Sequence, residues 1–263
     1  MSDLNVDCLS VVCSFLDINT DTYVLDLFPL QEKERERVLS YWKSHSDYKI
    51  IERDDCKEWY RNRKQHRDDD LPAVIWENGD KEWYKNGHLH REGDLPAIIS
   101  NNGDKFWYFL GQSHRGGDLP AVEYIDGGGK MWWKNGERHR DGDLPAIEWE
   151  DGTKEWWKNG ERHRDGDLPA VIWDNGTKEW WKNDERHRDN DLPAIMSNTG
   201  TKEWYRNGKI HREGDLPAVV CKDVKEWWKN GLRHREGDLP AVVYHDGVKQ
   251  WWIHGQLIRE EYK

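Results

Sequence analysis

Apolar and polar positions follow two different rhythms along this chain. In the first 50 residues the rhythm is helical. Leu9, Val12, Cys13 and Leu16 fall at i, i+3, i+4 and i+7, the spacing of one helical face. Asn5 stands where a cap is wanted, residues 17–20 read as a loop, and Asp21 is placed to cap a second short helix that Pro29 stops. A third helix carries Val38, Tyr41 and Trp42 on one side and a solvated Glu/Arg face over residues 32–37. This predicts a small α-helical unit, residues 1–50, with a weak core of its own.

Beyond residue 50 the rhythm is that of short strands between turns, and it repeats. An aromatic doublet recurs nine times, from Trp59-Tyr60 to Trp251-Trp252. Between the doublets, a His-Arg pair leads into Asp-Leu-Pro-Ala eight times, from His66 to His234, at spacings of 24, 24, 25, 24, 24, 24 and 23 residues. A fixed period of this size predicts a stacked array of small units, here residues 51–263, about eight of them plus a partial last one.

Residues 151–173 illustrate one unit. Lys154 to Lys158 reads as a strand. Asn159-Gly160 is a strong signal for a two-residue hairpin turn, because a type I′ turn needs positive φ at both central positions. The chain returns through Glu161 to Arg164, crosses Asp165-Gly166-Asp167, and continues as a strand from Leu168 to Trp173. Consecutive doublet residues must face opposite sides of a regular strand, so each side carries an aromatic column. Leu168, Val171, Trp156 and Trp180 represent the expected repeat core. Pro169 sits at a strand entrance, where a missing N–H is tolerated. The fold class expected is mainly β: an elongated antiparallel β-hairpin array with a helical N-terminal unit. One unit alone cannot bury enough apolar surface to offset its ordering entropy, so the array folds as a whole.

Repetition also governs how candidate chemistry is read. His163 and Asp167, four residues apart, have the form of a metal-ligand pair or of a base with its orienting acid. Near-identical copies argue instead for a structural ladder, represented by His139, His163 and His187 with Asp143, Asp167 and Asp191, because an active site needs a unique, perturbed cluster. No catalytic residue, metal ligand or cofactor is called for. The aromatic columns are expected to pack between units, with stacking of sugars or bases as the alternative. The three-glycine turn at Gly127-Gly128-Gly129 and the short turn at Lys222-Asp223-Val224 account for the two irregular spacings and mark the expected bends or partner-specific spots.

Composition narrows the function classes. All 23 glycines lie between Gly79 and Gly255, and 17 of the 18 tryptophans lie between Trp59 and Trp252, which supports the boundary near residue 50. A net charge of −11 speaks against nucleic acid as a partner. Four scattered cysteines fit neither a disulfide framework nor a zinc site and point to a reducing, intracellular setting. No signal peptide or membrane-spanning run is legible.

Two family resemblances follow from these residues. Trp157-Lys158-Asn159-Gly160-Glu161-Arg162-His163 resembles the signature of MORN repeats, and the match recurs at Trp133 to His139 and at Trp228 to His234. Tyr84 to His90 and Tyr205 to His211 match with Tyr in the first place. Arg follows His where that family has Gly, Asp-Leu-Pro-Ala is not part of its pattern, and the turn Gly is replaced at Arg63 and Asp184 and the turn Asn at Leu110 and His254. The chain therefore resembles a divergent branch, similar to arrays encoded by large DNA viruses. The stretch from Leu4 to Asp17 resembles the start of an F-box, with Asn5 in place of the usual Pro.

The resemblances imply a β array used for protein contact, self-association or membrane-lipid contact. They also imply a Skp-type ubiquitin-ligase adaptor held by Leu4, Leu9, Val12, Phe15 and Leu16. A plain helical cap on the first repeat is the other reading of that segment. The functions expected are thus a non-catalytic protein-binding scaffold, which the F-box resemblance makes an F-box-type adaptor, or else a self-assembling component joined through its terminal repeat edge. Binding of glycan or lipid by the aromatic face is the third. If the chain is viral, the resemblance places it in the host cytoplasm or in a virion.

Overall fold

The computed structural model describes residues 48–263 and the single position Lys33. The expected helical unit, with Leu4, Leu9, Val12, Phe15 and Leu16, lies outside the described residues. From Tyr48 onward the chain is all-β, in two units, one ending at Gly111 and the other beginning at Gln112.

In the second unit, Lys154–Glu155 pairs antiparallel with Ile147–Glu148 on one side and Val171–Ile172 on the other. Val171–Ile172 pairs onward with Lys178–Glu179, and the pattern continues as a meander. A second ladder branches from it, because Trp157–Lys158 pairs with Glu161–Arg162 as a separate hairpin. The expected unbroken strand from Lys154 to Lys158 is therefore split at Trp156. The Trp156 N–H donates to the Ala170 carbonyl at 2.8 Å, and its own carbonyl accepts the His163 N–H at 3.1 Å. One residue thus hands the chain from one partner to the other, and its backbone groups remain satisfied.

Two tight turns shape each unit. Asn159 and Gly160 have φ of 51° and 81°, as a type I′ turn demands. Where the signature is lost, the backbone is kept: Arg63, Asp184, Leu110 and His254 hold φ of 62°, 61°, 47° and 48°. The hairpin tip is stitched to the preceding hairpin, since the Gly160 N–H donates to the Arg138 carbonyl at 3.0 Å. The second turn is Asp165 to Leu168, with Gly166 and Asp167 at φ of 75° and 53°. In the enlarged turn, a Cβ on Gly128 would strike the Tyr124 ring and one on Gly129 would strike the Glu148 carbonyl, so glycine is required at both.

The core lies in the strand after the second turn. Val171 is buried, as are Trp156 and Trp180, but Leu168 is 42% exposed. The residue packed out of reach of solvent is Ala170, at 0%, as are its counterparts in every other Pro-Ala copy. The core position expected for Leu168 rests on the recurrence of this leucine in all eight copies. The ladder begins only at Val171, so the period-two rule does not reach back through Pro169. The turn leaves Leu168 pointing outward.

The first unit repeats the theme. Tyr48–Glu52 crosses the expected boundary near residue 50 and pairs with Cys56–Arg61, a strand continuous through Trp59. Val74–Trp76, Lys81–Glu82 and Ile98–Ile99 then continue the meander. The second unit closes with a longer hairpin, Lys249–Ile253 against Gln256–Glu261, bulged between Trp251 and Trp252.

Candidate functional site

Three side-chain columns join each repeat to the next. The first is built on histidine. His163 Nδ1 accepts the Asn183 N–H of the following turn at 3.3 Å, and Nε2 meets Asp165 Oδ1 at 3.0 Å. His139 and His187 do the same with Asn159 and Asn207, and with Asp141 and Asp189. A ring nitrogen that accepts a backbone N–H carries no proton, so the proton belongs on Nε2 and the ring is neutral. Burial pushes the His66 imidazole below its ordinary value, in keeping with that state. Hydrogen bonds from His163 and Lys158 hold the Asp165 carboxyl below the usual carboxylate range.

The second column takes up the aspartate of Asp-Leu-Pro-Ala. Asp143 grips Arg164 of the next repeat through both oxygens, at 2.8 and 2.9 Å. Asp167 grips Arg188 and Asp191 grips Arg212 in the same way. The Arg164 guanidinium lies 3.8 Å over the Trp156 ring, and the Trp156 indole N–H donates to the Asp143 carbonyl at 3.1 Å. Here the invariance of the first tryptophan has a cause: its edge must reach a backbone carbonyl while its face carries an arginine. The metal-ligand or base-acid couple that the four-residue His-Asp spacing could have formed is not made. His163 is engaged by Asp165 and Asn183, and Asp167 by Arg188.

The third column was not foreseen. Glu155, only 8% exposed, accepts the Trp149 and Trp157 indole N–H groups at 3.1 and 3.0 Å and Arg162 Nε at 3.2 Å. Glu179 repeats this with Trp173, Trp181 and Arg186. Arginines alternate with the second aromatics: Arg138 lies over Trp133 and Trp157, Arg162 over Trp157 and Trp181, and Arg186 over Trp181 and Tyr205. In this column the aromatics interleave with guanidinium groups rather than pack ring on ring. Tyr replaces Trp where its hydroxyl also reaches the glutamate, as Tyr205 does to Glu203 at 3.0 Å, and at Tyr108, where Phe106 takes the acid's place. A signal for this buried acid was present. The position otherwise holds Phe106, Met131 or Gln250, and a site that admits Phe and Met is not a solvated one.

Outside these columns two rows face solvent. One is the leucine of the second turn, including Leu144, Leu168 and Leu192. The other is the lysine that precedes the glutamate, including Lys154 and Lys178. Between successive second turns lies a recess whose lining includes His163, Asp165, Leu168, Trp181 and Arg188, and it recurs one repeat earlier and two repeats later. Its charged groups are already engaged with one another, and among the described residues no cluster of three His, Cys, Asp or Glu is arranged to hold a metal ion. Burial pushes the Cys56 thiol up, away from a reactive thiolate. The sequence matches no family model and no characterised protein.

Proposed function

We propose that the chain is a non-catalytic scaffold that binds a protein partner along its repeated outer surface. One observation carries this reading. The polar groups that could do chemistry are spent on joining repeat to repeat, while the same outward rows of lysine and leucine recur in each unit. The MORN-like signature accords with it. The F-box-like segment adds a second arm, in which Leu4, Leu9, Val12, Phe15 and Leu16 hold a Skp-type adaptor while the array holds the target. Such a protein would act inside a cell, or in a virus-infected host.

The test is hydrogen exchange on the full chain with and without its captured partner. Protection spread over the same face of several consecutive repeats is the expected result, and a footprint confined to residues before Tyr48 would remove the reading. Co-purification of a Skp-type adaptor, lost on Leu9→Asp with Leu16→Asp, tests the second arm; failure to recover it leaves the segment as a cap.

A self-assembling scaffold is the second reading. It is favoured by the six-residue strand Gln256–Glu261, where Leu257 and Ile258 are exposed and the only partner among the described residues is Lys249–Ile253. Sedimentation that depends on concentration would support it. The first tryptophan column lies beneath arginines, which speaks against sugar or lipid stacking there.

A further inference from the structure

One face of the second unit carries a row of lysines without counter-ions. The register sets Lys154 opposite Ile172, Ile172 opposite Lys178, Lys178 opposite Met196, Met196 opposite Lys202, Lys202 opposite Val220, and Val220 opposite Lys225. The four lysines are exposed, and none has an ion-pair partner among the described residues. The lysines of the hairpins behave differently: Lys158 and Lys182 each pair with an aspartate. On a chain of net charge −11, a cationic row with aliphatic spacers is a local exception; Glu148 bounds it across the ladder from Lys154, and at the other end it runs on through Val243 to Lys249, which faces Glu261. Its charge is complementary to an acidic partner, and the neighbouring arginine column adds nothing, because each arginine is matched by an aspartate.

Spacing selects the form of that partner. Successive lysines are two ladder steps apart, about 9.6 Å at about 4.8 Å per strand. A polyproline II helix advances about 9.3 Å per three-residue turn, and every third side chain faces the same way. An α-helix offers about 10.5 Å over seven residues and drifts by about 1 Å per repeat. An extended strand offers same-face steps of about 6.6 or 13 Å, which fit poorly. Single-stranded nucleic acid asks for open aromatic platforms, and the tryptophans flanking this row lie beneath arginines. A lipid surface asks for protruding apolar anchors, and Ile172, Met196 and Val220 are half-buried.

We infer that the row Lys154, Lys178, Lys202 and Lys225 is the docking surface for an acidic polypeptide segment in polyproline II conformation, carrying a carboxylate at every third residue. This rests on the protein-binding reading and names the chemistry of its partner. The half-buried aliphatic residues between the lysines receive the prolines of each turn.

The experiment uses the full chain and labelled peptides, followed by fluorescence anisotropy. One peptide holds about five Glu-Pro-Pro triplets; a second has the same number of glutamates at every second residue. The triplet peptide is expected to bind at least about tenfold more tightly, a difference of about 1.4 kcal/mol. Changing the four lysines to glutamine is expected to abolish that preference with an unchanged thermal midpoint, and changing them to arginine to retain it. Equal binding of both peptides, an unaffected glutamine variant, or tighter binding of anionic vesicles or of a single-stranded oligonucleotide would each overturn the inference. If the peptide fails while a captured partner still protects the array in hydrogen exchange, the protein-binding reading stands and only its acidic segment falls.

Discussion

The repeat built on Glu155 and the one before it, built on Met131, have the same hairpin and the same aromatic doublet. Besides the enlarged turn that precedes Met131 and the buried Thr153 that precedes Glu155, they differ in the buried side chain that meets the second aromatic. In the later repeat, Glu155 takes up Trp157 Nε1, Trp149 Nε1 and Arg162 Nε. In the earlier one, Met131 is equally buried but offers no carboxylate, and Trp133 Nε1 and Arg138 Nε are left without an acceptor. Arg138 still lies over Trp133 and Trp157, so the cation–π column persists across the gap. The difference separates two roles. Apolar volume keeps the column packed, whereas the carboxylate satisfies the donors that packing forces out of water.

The largest expected effect comes from carrying the Met131 situation into a repeat that has its acid. Glu179 is 6% exposed and accepts two indoles and an arginine. Glu179→Ala removes the acceptor, opens a cavity and strands a half-buried guanidinium, and is expected to cost about 3–5 kcal/mol in chemical denaturation. Glu179→Gln, which keeps an acceptor oxygen, should lose clearly less. Equal losses would mean that volume, not hydrogen bonding, is what the glutamate supplies.

The reverse substitution sharpens the point. Met131→Glu gives the orphaned Trp133 and Arg138 donors the partner that Glu155 gives their successors. A gain of about 1 kcal/mol is expected, read as a rise of a few degrees in the thermal midpoint. A loss would show that those donors are better left unpaired than matched by a carboxylate whose desolvation they cannot offset.

Acid should be blind to this difference. The arginine stitch is the same in both repeats, Asp118 to Arg140 in one and Asp143 to Arg164 in the other. In each, hydrogen bonds from the arginine hold the aspartate carboxyl below its ordinary range. A carboxyl lowered in the folded state contributes stability that is present above the unfolded value of about 3.9 and is lost as pH falls through the folded one. The carboxylates are about half exposed, so screening leaves each well under about 1 kcal/mol. Asp118→Asn and Asp143→Asn should therefore flatten the acid limb of the melting curve slightly and equally. A larger effect in either repeat would mean that the buried acid and the surface stitch are coupled.

Which of these features could be read from the sequence depends on how local their cause is. The Asn159-Gly160 turn was legible because positive φ is a property of two adjacent residues. The burial of Trp156 and Val171 was legible because each position admits one kind of side chain in every copy, Trp in the first and Val or Ile in the second. Glu179 was hidden because a glutamate beside a lysine looks solvated, and its partners come from elsewhere in the chain, at Trp173 and Arg186. The split at Trp156 was hidden for a similar reason. It depends on which of two strands each backbone group pairs with, and side-chain pattern does not record that.

Leu168 is the sharpest case, because repetition itself suggested burial. Its counterparts recur in both the Glu155 and the Met131 repeats, and all stand partly in solvent after a tight turn. Leu168→Ser should therefore change stability by no more than about 0.5 kcal/mol. Val171→Ala, three residues on in the buried strand, should cost above about 1 kcal/mol. A large loss from Leu168→Ser would show that the turn needs its apolar side chain for folding. The expected small one means that a leucine kept in every copy does not owe its presence to packing within the chain. An outward contact is then a physical reason for a large apolar side chain to recur there, and a small stability effect makes the recess that Leu168 lines with His163 and Trp181 the place to look for it.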